Sequence, residues 1–241
     1  MYFDFHVTTI IPALNEERSI GTVVNELKQL QHNNKNLIDR VIVCDNNSTD
    51  KTADIAVSFG AEVIYEKTKG YGAACLSAIS QVSNTDILLF VNADQSEQLS
   101  EVENLLHALI EHKADLVIGS RMLGQQESRA LSVHQKWGTQ IATFLLRKIW
   151  GANVTDLGPF RAIRFRSYKN LKMQDRNYGW TVEMQAKAIS NGLKVIELPV
   201  SALAGSSPSR ISGHVSGAIL ASIKILGFIV IHAINHKLLT R

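Results

Sequence analysis

Up to residue 119 the chain alternates short β-rich runs with amphipathic helical stretches, and that rhythm admits few folds. Residues 7–11, 40–44, 62–65, 86–91 and 115–119 concentrate β-favouring apolar residues in runs of strand length. The intervening residues 17–31, 49–59, 71–82 and 99–112 place apolar side chains at helical spacing. Strand and helix in repetition make βαβ units, which predicts a mostly parallel sheet covered by helices. A chain of 241 residues can build this around one core. Ligands of such sheets bind beyond the carboxyl ends of the strands, which singles out the polar residues at the exits.

Those exits share a chemistry. The first strand runs into Pro12-Ala13-Leu14-Asn15-Glu16, where Asn15 is placed to cap the next helix. The second runs into Asp45-Asn46-Asn47-Ser48-Thr49-Asp50, again a carboxylate followed by capping residues. Lys67-Thr68-Lys69-Gly70-Tyr71-Gly72 forms the next loop, and the apolar run before residue 92 ends in Asn92-Ala93-Asp94-Gln95-Ser96. Caps and turns explain any one of these; acidic or amide-rich exits recurring along one sheet edge point to a polar ligand site.

The second half reads differently. Residues 131–150 carry Val133, Trp137, Ile141, Phe144, Leu145 and Ile149 in a helical stripe interleaved with Lys136, Arg147 and Lys148. A helix packed on the core and a helix touching a membrane share that pattern. A strand to residue 164, a helix at 181–191 and a strand near 194–200 follow. The boundary is set at 203, with residues 1–203 as one domain and 204–241 as a small polar loop and an apolar helix. Residues 215–234 approach the length of a bilayer span, but Lys224 falls at their centre and Ser216, Gly217 and Ser222 dilute them. A helix lying at a membrane interface or against the domain is therefore expected instead of a span.

Composition narrows the function. Hydrophobic residues at 45% and charged ones at 20% exclude a disordered or fibrous chain. The net charge is only +3, yet no acid follows Glu197 while Arg210, Lys224, Lys237 and Arg241 do. Such a tail suits a phosphate group or an anionic membrane surface. Nucleic acid is not expected, because the excess is small and no groove-reading motif is present. Cys44 and Cys75 match no metal or redox spacing and suit a reducing compartment. Residues 1–14 contain Asp4 and no positive leader before their apolar run, so no signal peptide is expected and the chain is placed in the cytoplasm.

Seven motifs stand in a fixed order: Ile11-Pro12-Ala13-Leu14-Asn15-Glu16; the Asp45 exit with Ser48-Thr49-Asp50; Lys69-Gly70-Tyr71-Gly72; Gly119-Ser120-Arg121; Asp156-Leu157-Gly158-Pro159-Phe160-Arg161; Tyr178-Gly179-Trp180-Thr181-Val182-Glu183; and Ser209-Arg210-Ile211-Ser212-Gly213. Over nearly the whole chain this set resembles the family 2 glycosyltransferases of the GT-A fold, specifically the dolichol-phosphate-mannose-synthase-like bacterial branch. The resemblance implies an α/β fold, a Rossmann-like αβα sandwich with a mostly parallel central sheet and a C-terminal apolar helix. It also implies an inverting transfer, in which an acceptor oxygen displaces a nucleoside diphosphate from the anomeric carbon of a hexose.

What the resemblance assigns to single residues follows. Asp94 is the ligand of a divalent metal, Mg2+ or Mn2+, with Asn92 and Gln95 beside it at the donor. Pro12, Asn15, Glu16 and Asp45 surround the nucleoside, and Lys69 meets the base or phosphates. Arg121 and Arg161 are candidates for an acceptor phosphate, since guanidinium forks match phosphate oxygens. Asp156 and Glu183 are the acceptor-side carboxylates, with Asp156 the first choice for a base, and Arg210 closes over the diphosphate. The acceptor is expected to be polyprenyl phosphate or another membrane-proximal molecule, reached by peripheral contact with the inner face of the membrane. A soluble or carotenoid-like hydroxyl acceptor, and a nucleotide-sugar-binding protein that has lost turnover, stand as alternatives. Homo-oligomerisation is left open.

The chain departs from its relatives in three places. Asn92 stands where most carry a carboxylate, residues 204–208 lack the usual basic charge, and Thr139 replaces an amide. The first departure removes negative charge from the expected metal site.

Overall fold

The computed structural model of the protein describes residues 2–128, 130–205 and 227–229. Nine strands and seven α-helices form among these residues. The strands are β1 Val7–Ala13, β2 Gln31–His32, β3 Lys35–Asn36, β4 Arg40–Asp45, β5 Glu62–Tyr65, β6 Ile87–Phe90, β7 Leu116–Ser120, β8 Arg161–Arg164 and β9 Val195–Pro199. The helices are α1 Ile20–Gln29, α2 Thr52–Ser58, α3 Tyr71–Ser80, α4 Val102–Glu111, α5 Val133–Trp150, α6 Phe165–Leu171 and α7 Trp180–Ser190.

Seven strands form the central sheet in the order β5-β4-β1-β6-β8-β7-β9, and β2 pairs with β3 in a separate hairpin. All neighbours in the sheet run parallel except β8, which is antiparallel to both β6 and β7. The expected mostly parallel sheet is therefore present, with one reversed strand. Alternation along each strand feeds two cores. Ile11, Val43, Leu89 and Val117 pack under α1 and α4, while Ile10, Ile42, Leu88 and Ile118 pack under α3, α6 and α7. Both faces are covered because the strands are apolar on both sides, as parallel sheets require. Each such side chain, fully buried, contributes roughly 1.5–3 kcal/mol relative to exposure.

Local chemistry explains where the expected boundaries moved. The first helix was expected from residue 17 but begins at Ile20, and its N-cap position is held by Ser19, not Asn15. The helix also ends two residues early, because Asn33 and Asn34 (φ 50° and 60°) turn the chain into the β2–β3 hairpin. Both central residues of such a two-residue turn need positive φ, which asparagine tolerates. Helix α6 was not anticipated. Helix α5 starts with a capping box, in which Gln135 N–H donates to Ser132 Oγ and Ser132 N–H donates to Gln135 Oε1, and it ends at Gly151 with φ 67°.

Cys44 and Cys75 are buried and free, as expected of small core residues, and burial pushes the Cys44 thiol up to about 12. The apolar stretch 215–234 lies outside the described residues except for 227–229. Those are helical, and Ile229 is buried with Ala142 and Leu146 of α5 and Val182 of α7. Among the described residues no helix is long and apolar enough to cross a membrane.

Candidate active site

The register aligns the strand ends. Asp45 closes β4 opposite Ala13 of β1 and Tyr65 of β5, and Pro12 is the penultimate residue of β1. Beyond this edge the β1 and β4 exits knit together. Asn15, held at φ 53°, donates its N–H to Ser48 Oγ at 2.8 Å and accepts the Thr49 N–H at 2.6 Å. Instead of capping its own helix, Asn15 caps the turn of the neighbouring strand. Glu16 is buried, with its N–H on Thr52 and its carboxylate accepting from Ser19. Asp45 accepts the Ser48 N–H, which fixes its buried carboxylate at the floor of the exit.

Asn46, unremarked in the sequence, organises the next loop. Its amide donates to the carbonyls of Glu66 and Thr68 and accepts the Gly70 N–H at 2.7 Å. Lys69 is thereby carried on a shaped loop with its side chain exposed. The two glycines flanking Tyr71 have a steric reason. A Cβ at Gly70 would stand 2.1 Å from the Arg176 carbonyl oxygen, and one at Gly72 would stand 2.1 Å from that of Asp175. This close approach lets the carbonyls of Arg176 and Asn177 accept N–H groups in the first turn of α3.

Glu183 stands behind that contact. It is 1% exposed and accepts the N–H groups of Gln174 and Asp175 and the ammonium of Lys187 at 2.7 Å. Held in this way, Glu183 anchors residues 174–177 over α3.

The loop after β6 carries the acidic residues. Asp94 is partly exposed and accepts the Ser96 N–H at 3.1 Å, while Gln95 takes the left-handed conformation with φ 60°. Asn92 turns its amide toward Ser96 Oγ at 3.4 Å, and its N–H donates to Glu97 Oε2 at 3.2 Å. Burial, then the Asp94 charge, pushes the Glu97 carboxyl up to about 8, against the opposing pull of the Asn92 N–H, Arg121 and the Ser96 hydroxyl. Residues 202–205 cross over this loop. Leu203 N–H donates to the Ser96 carbonyl, and a Cβ at Gly205 would lie 3.2 Å from Asp94 Oδ2.

Across from it, Arg121 grips Asp156 through Nε and Nη2 at 2.8 Å each. Burial alone would raise the Asp156 carboxyl; the Arg121 charge, its hydrogen bonds and the N–H groups of Arg121 and Leu157 outweigh this and hold it below the usual carboxylate range. Glu197 of β9 accepts the N–H groups of Thr155 and Asp156, and Gln185 donates to the Asp156 carbonyl. Asp156 is thus a fully buried partner of Arg121, and its expected role as a base yields to holding that guanidinium. Arg121, with its side chain 20% exposed and within electrostatic range of Asp94 and Glu97, keeps N–H groups beyond those used on Asp156.

Arg161 departs from expectation as well. Its guanidinium is buried and donates to the carbonyls of Leu157, Gly158 and Thr181. Burial pushes it down to about 10, so it stays protonated and braces the turn before β8 from within. A phosphate could reach it only by displacing those carbonyls. Arg210 lies outside the described residues. The structure therefore brings Asp45, Asp94 and Arg121 to one sheet edge, and it adds Asn46, Glu97 and Glu197, which sequence reasoning passed over. Asn46 and Glu97 sat within or beside motifs already quoted; for Glu197 there was no local signal.

The partly exposed Asp94 and the orphaned Glu97 Oε1, which has no hydrogen-bond partner among the described residues, suit a hard divalent cation. Among the described residues no group of three or more His, Cys, Asp or Glu side chains forms a metal cage, so a cation would complete its shell with water and ligand oxygens.

The family model described as glycosyl transferase family 2 matches residues 8–172. An uncharacterized glycosyltransferase of Mycobacterium tuberculosis is 32% identical over 220 residues, covering 89% of this chain and 94% of its own. The undecaprenyl-phosphate mannosyltransferase of Micrococcus luteus is 27% identical over 230 residues, covering 90% and 92%. Among solved structures, glucosyl-3-phosphoglycerate synthase from Mycobacterium tuberculosis in complex with Mn2+, UDP-glucose and phosphoglyceric acid superposes with a TM-score of 0.74. That match has 19% identity and covers 95% of this chain and 80% of the other.

Proposed function

Because the chain belongs to glycosyltransferase family 2, we propose that it moves a hexose from a nucleoside-diphosphate sugar to polyprenyl phosphate at the cytoplasmic face of a membrane. The observation that carries the acceptor class is the state of the carboxylates. Asp156 and Glu183, one of which would act as base on a hydroxyl acceptor, are both enclosed and already accept several hydrogen bonds, whereas Arg121 is partly exposed and keeps N–H groups beyond those used on Asp156. A phosphate monoester has its second pKa near ~6 and attacks without a base, while a hydroxyl acceptor requires one.

In this reading Asp45 and the Asn15–Ser48 lattice receive the nucleoside, and Lys69 faces the donor phosphates. Asp94 holds a divalent cation, Mg2+ or Mn2+, which would supply charge stabilisation to the leaving diphosphate. Arg121 offers its remaining N–H groups to the acceptor phosphate and is kept in place by Asp156. An acceptor oxygen forms the new bond to the anomeric carbon as the bond to the diphosphate breaks, and the electron pair leaves with the diphosphate. The Micrococcus luteus relative, by its name, acts on undecaprenyl phosphate, which supports the same acceptor class here.

Helix α5 supports membrane proximity. It has no acidic residue, exposes Val133, Trp137, Ile141 and Phe144, and carries Lys136, Arg147 and Lys148. Aromatic and aliphatic side chains flanked by cations suit the interface of an anionic bilayer. Buried free thiols suit the reducing cytoplasm.

The test is incubation of purified protein with a panel of nucleotide sugars, Mg2+ or Mn2+, and polyprenyl phosphate, read by mass spectrometry of the lipid. A glycosylated lipid phosphate is expected. Transfer of the sugar to a hydroxyl acceptor, with release of nucleoside diphosphate and no lipid product, defeats the acceptor assignment, and donor binding without any turnover defeats the enzymatic one. Asp94→Ala is expected to abolish metal-dependent turnover.

A further inference from the structure

Glu97 is a costly residue in its present place. It is 5% exposed, Oε2 accepts the Asn92 N–H, and Oε1 has no hydrogen-bond partner among the described residues. A buried carboxylate left half satisfied is destabilising, and capping one N–H would need only an amide. Its surroundings are charged. The charges that act on it are those of Asp94 and Arg121, and both carboxylates in turn act on the buried Tyr71 hydroxyl at the start of α3. Glu97 is therefore buried in the loop that carries Asp94, close enough to Asp94 and Arg121 to feel both charges. Two carboxylates in one enclosed site repel unless one of them is protonated or a cation lies between them.

We infer that Glu97 is the second acid of the cation site built on Asp94, supplying through its unpartnered oxygen the charge that Asn92 does not. The inference rests on the reading that Asp94 holds a divalent cation. Hard cations of this class take carboxylate oxygens and complete their shells with water and phosphate, so two protein acids suffice. A cation there satisfies Oε1 and turns the repulsion between Asp94 and Glu97 into attraction to a common charge. It also gives the bond from Asn92 N–H a purpose, since that contact holds one oxygen of the Glu97 carboxylate in place.

The experiment measures Mn2+ uptake by the purified full chain, without donor, by electron paramagnetic resonance. Glu97→Gln keeps the acceptor for Asn92 N–H and should weaken Mn2+ binding at least about tenfold. Its melting temperature without metal should be unchanged or higher, because a half-satisfied buried carboxyl is replaced by a neutral amide of the same shape. Adding Asn92→Asp to Glu97→Gln should restore most of the affinity. Wild-type affinity in Glu97→Gln, or in Glu97→Ala should the first variant not fold, overturns the inference. Asp94→Ala separates the two levels: lost binding there with Glu97→Gln unaffected removes only the role of Glu97, whereas Mn2+ retained in Asp94→Ala removes the Asp94 site itself. A wild-type chain that takes up no Mn2+ at millimolar concentration overturns both.

Discussion

The guanidinium of Arg121 and the carboxylate of Asp156 meet through two parallel hydrogen bonds of 2.8 Å, and the Arg121 main-chain N–H adds a third at 2.9 Å. Asp156 is itself pinned from β9 by Glu197 and from α7 by Gln185. The arginine is thus aimed by residues from both later elements, and its direction is fixed before any ligand arrives.

Asp156→Asn should lower stability by about 3 kcal/mol, since it leaves a mostly buried guanidinium without its counter-charge. Thermal unfolding followed by circular dichroism measures this. If Asp156 only positions Arg121, the variant should raise the acceptor KM more than it lowers kcat. A kcat collapse with unchanged KM would return the base role to Asp156.

The same pair sets an acid limb. The folded-state pKa of Asp156 is held below its ordinary value, so its stabilising contribution is complete above the usual carboxylate range near ~4 and is lost as pH falls through the folded value. Urea midpoints measured between neutral and acidic pH should fall less steeply in Asp156→Asn than in the wild type. Parallel curves would show that the pair contributes no linkage.

Glu183→Ala should release residues 174–177 from α7. Because the carbonyls of Arg176 and Asn177 receive the first N–H groups of α3, hydrogen exchange at Gly72 and Ala73 should speed up. Unchanged protection at those amides would disconnect Glu183 from the donor loop.

Gly72→Ala places a methyl where the Asp175 carbonyl oxygen would be 2.1 Å away. The main chain must move, at about 1–3 kcal/mol, and donor affinity should fall with it. Isothermal calorimetry with a nucleoside diphosphate reads the outcome, and wild-type affinity would separate this contact from the donor site.

Replacing Trp137 and Phe144 by glutamate should weaken co-sedimentation with phosphatidylglycerol vesicles at least about tenfold and leave the fold intact, since both side chains are exposed. Equal sedimentation of variant and wild type would remove α5 from the membrane surface.

How much of this was legible depends on how local each signal is. Strands and helices were readable because apolar periodicity belongs to single segments, and the exits because Asp45 and Asn92-Ala93-Asp94 follow on apolar runs. Asn15 was misread because a capping residue looks the same whether it serves its own helix or, as here, Thr49 across the sheet edge. Arg161, Asp156 and Glu183 were assigned to the acceptor because their residue types fit it; burial and saturation by main-chain groups are tertiary facts that no spacing encodes. Glu97 lay three residues past Asp94 without attracting notice, since its meaning lies in the partner that one of its oxygens lacks.

The single reversed strand has a consequence for how such a chain can diversify. Because β8 runs against β7 and lies beside it, the chain leaves the sheet after Ser120 and re-enters at Arg161 one strand away on the same edge. Everything between, including α5 and Asp156, is a closed excursion whose two ends are neighbours. Its length and sequence can change without shifting the register of the strands that carry Asp45 and Asp94. If the proposed assignment holds, the acceptor side is an exchangeable cassette plugged into a fixed donor socket, so the donor half could be inherited intact while what is glycosylated is rewritten.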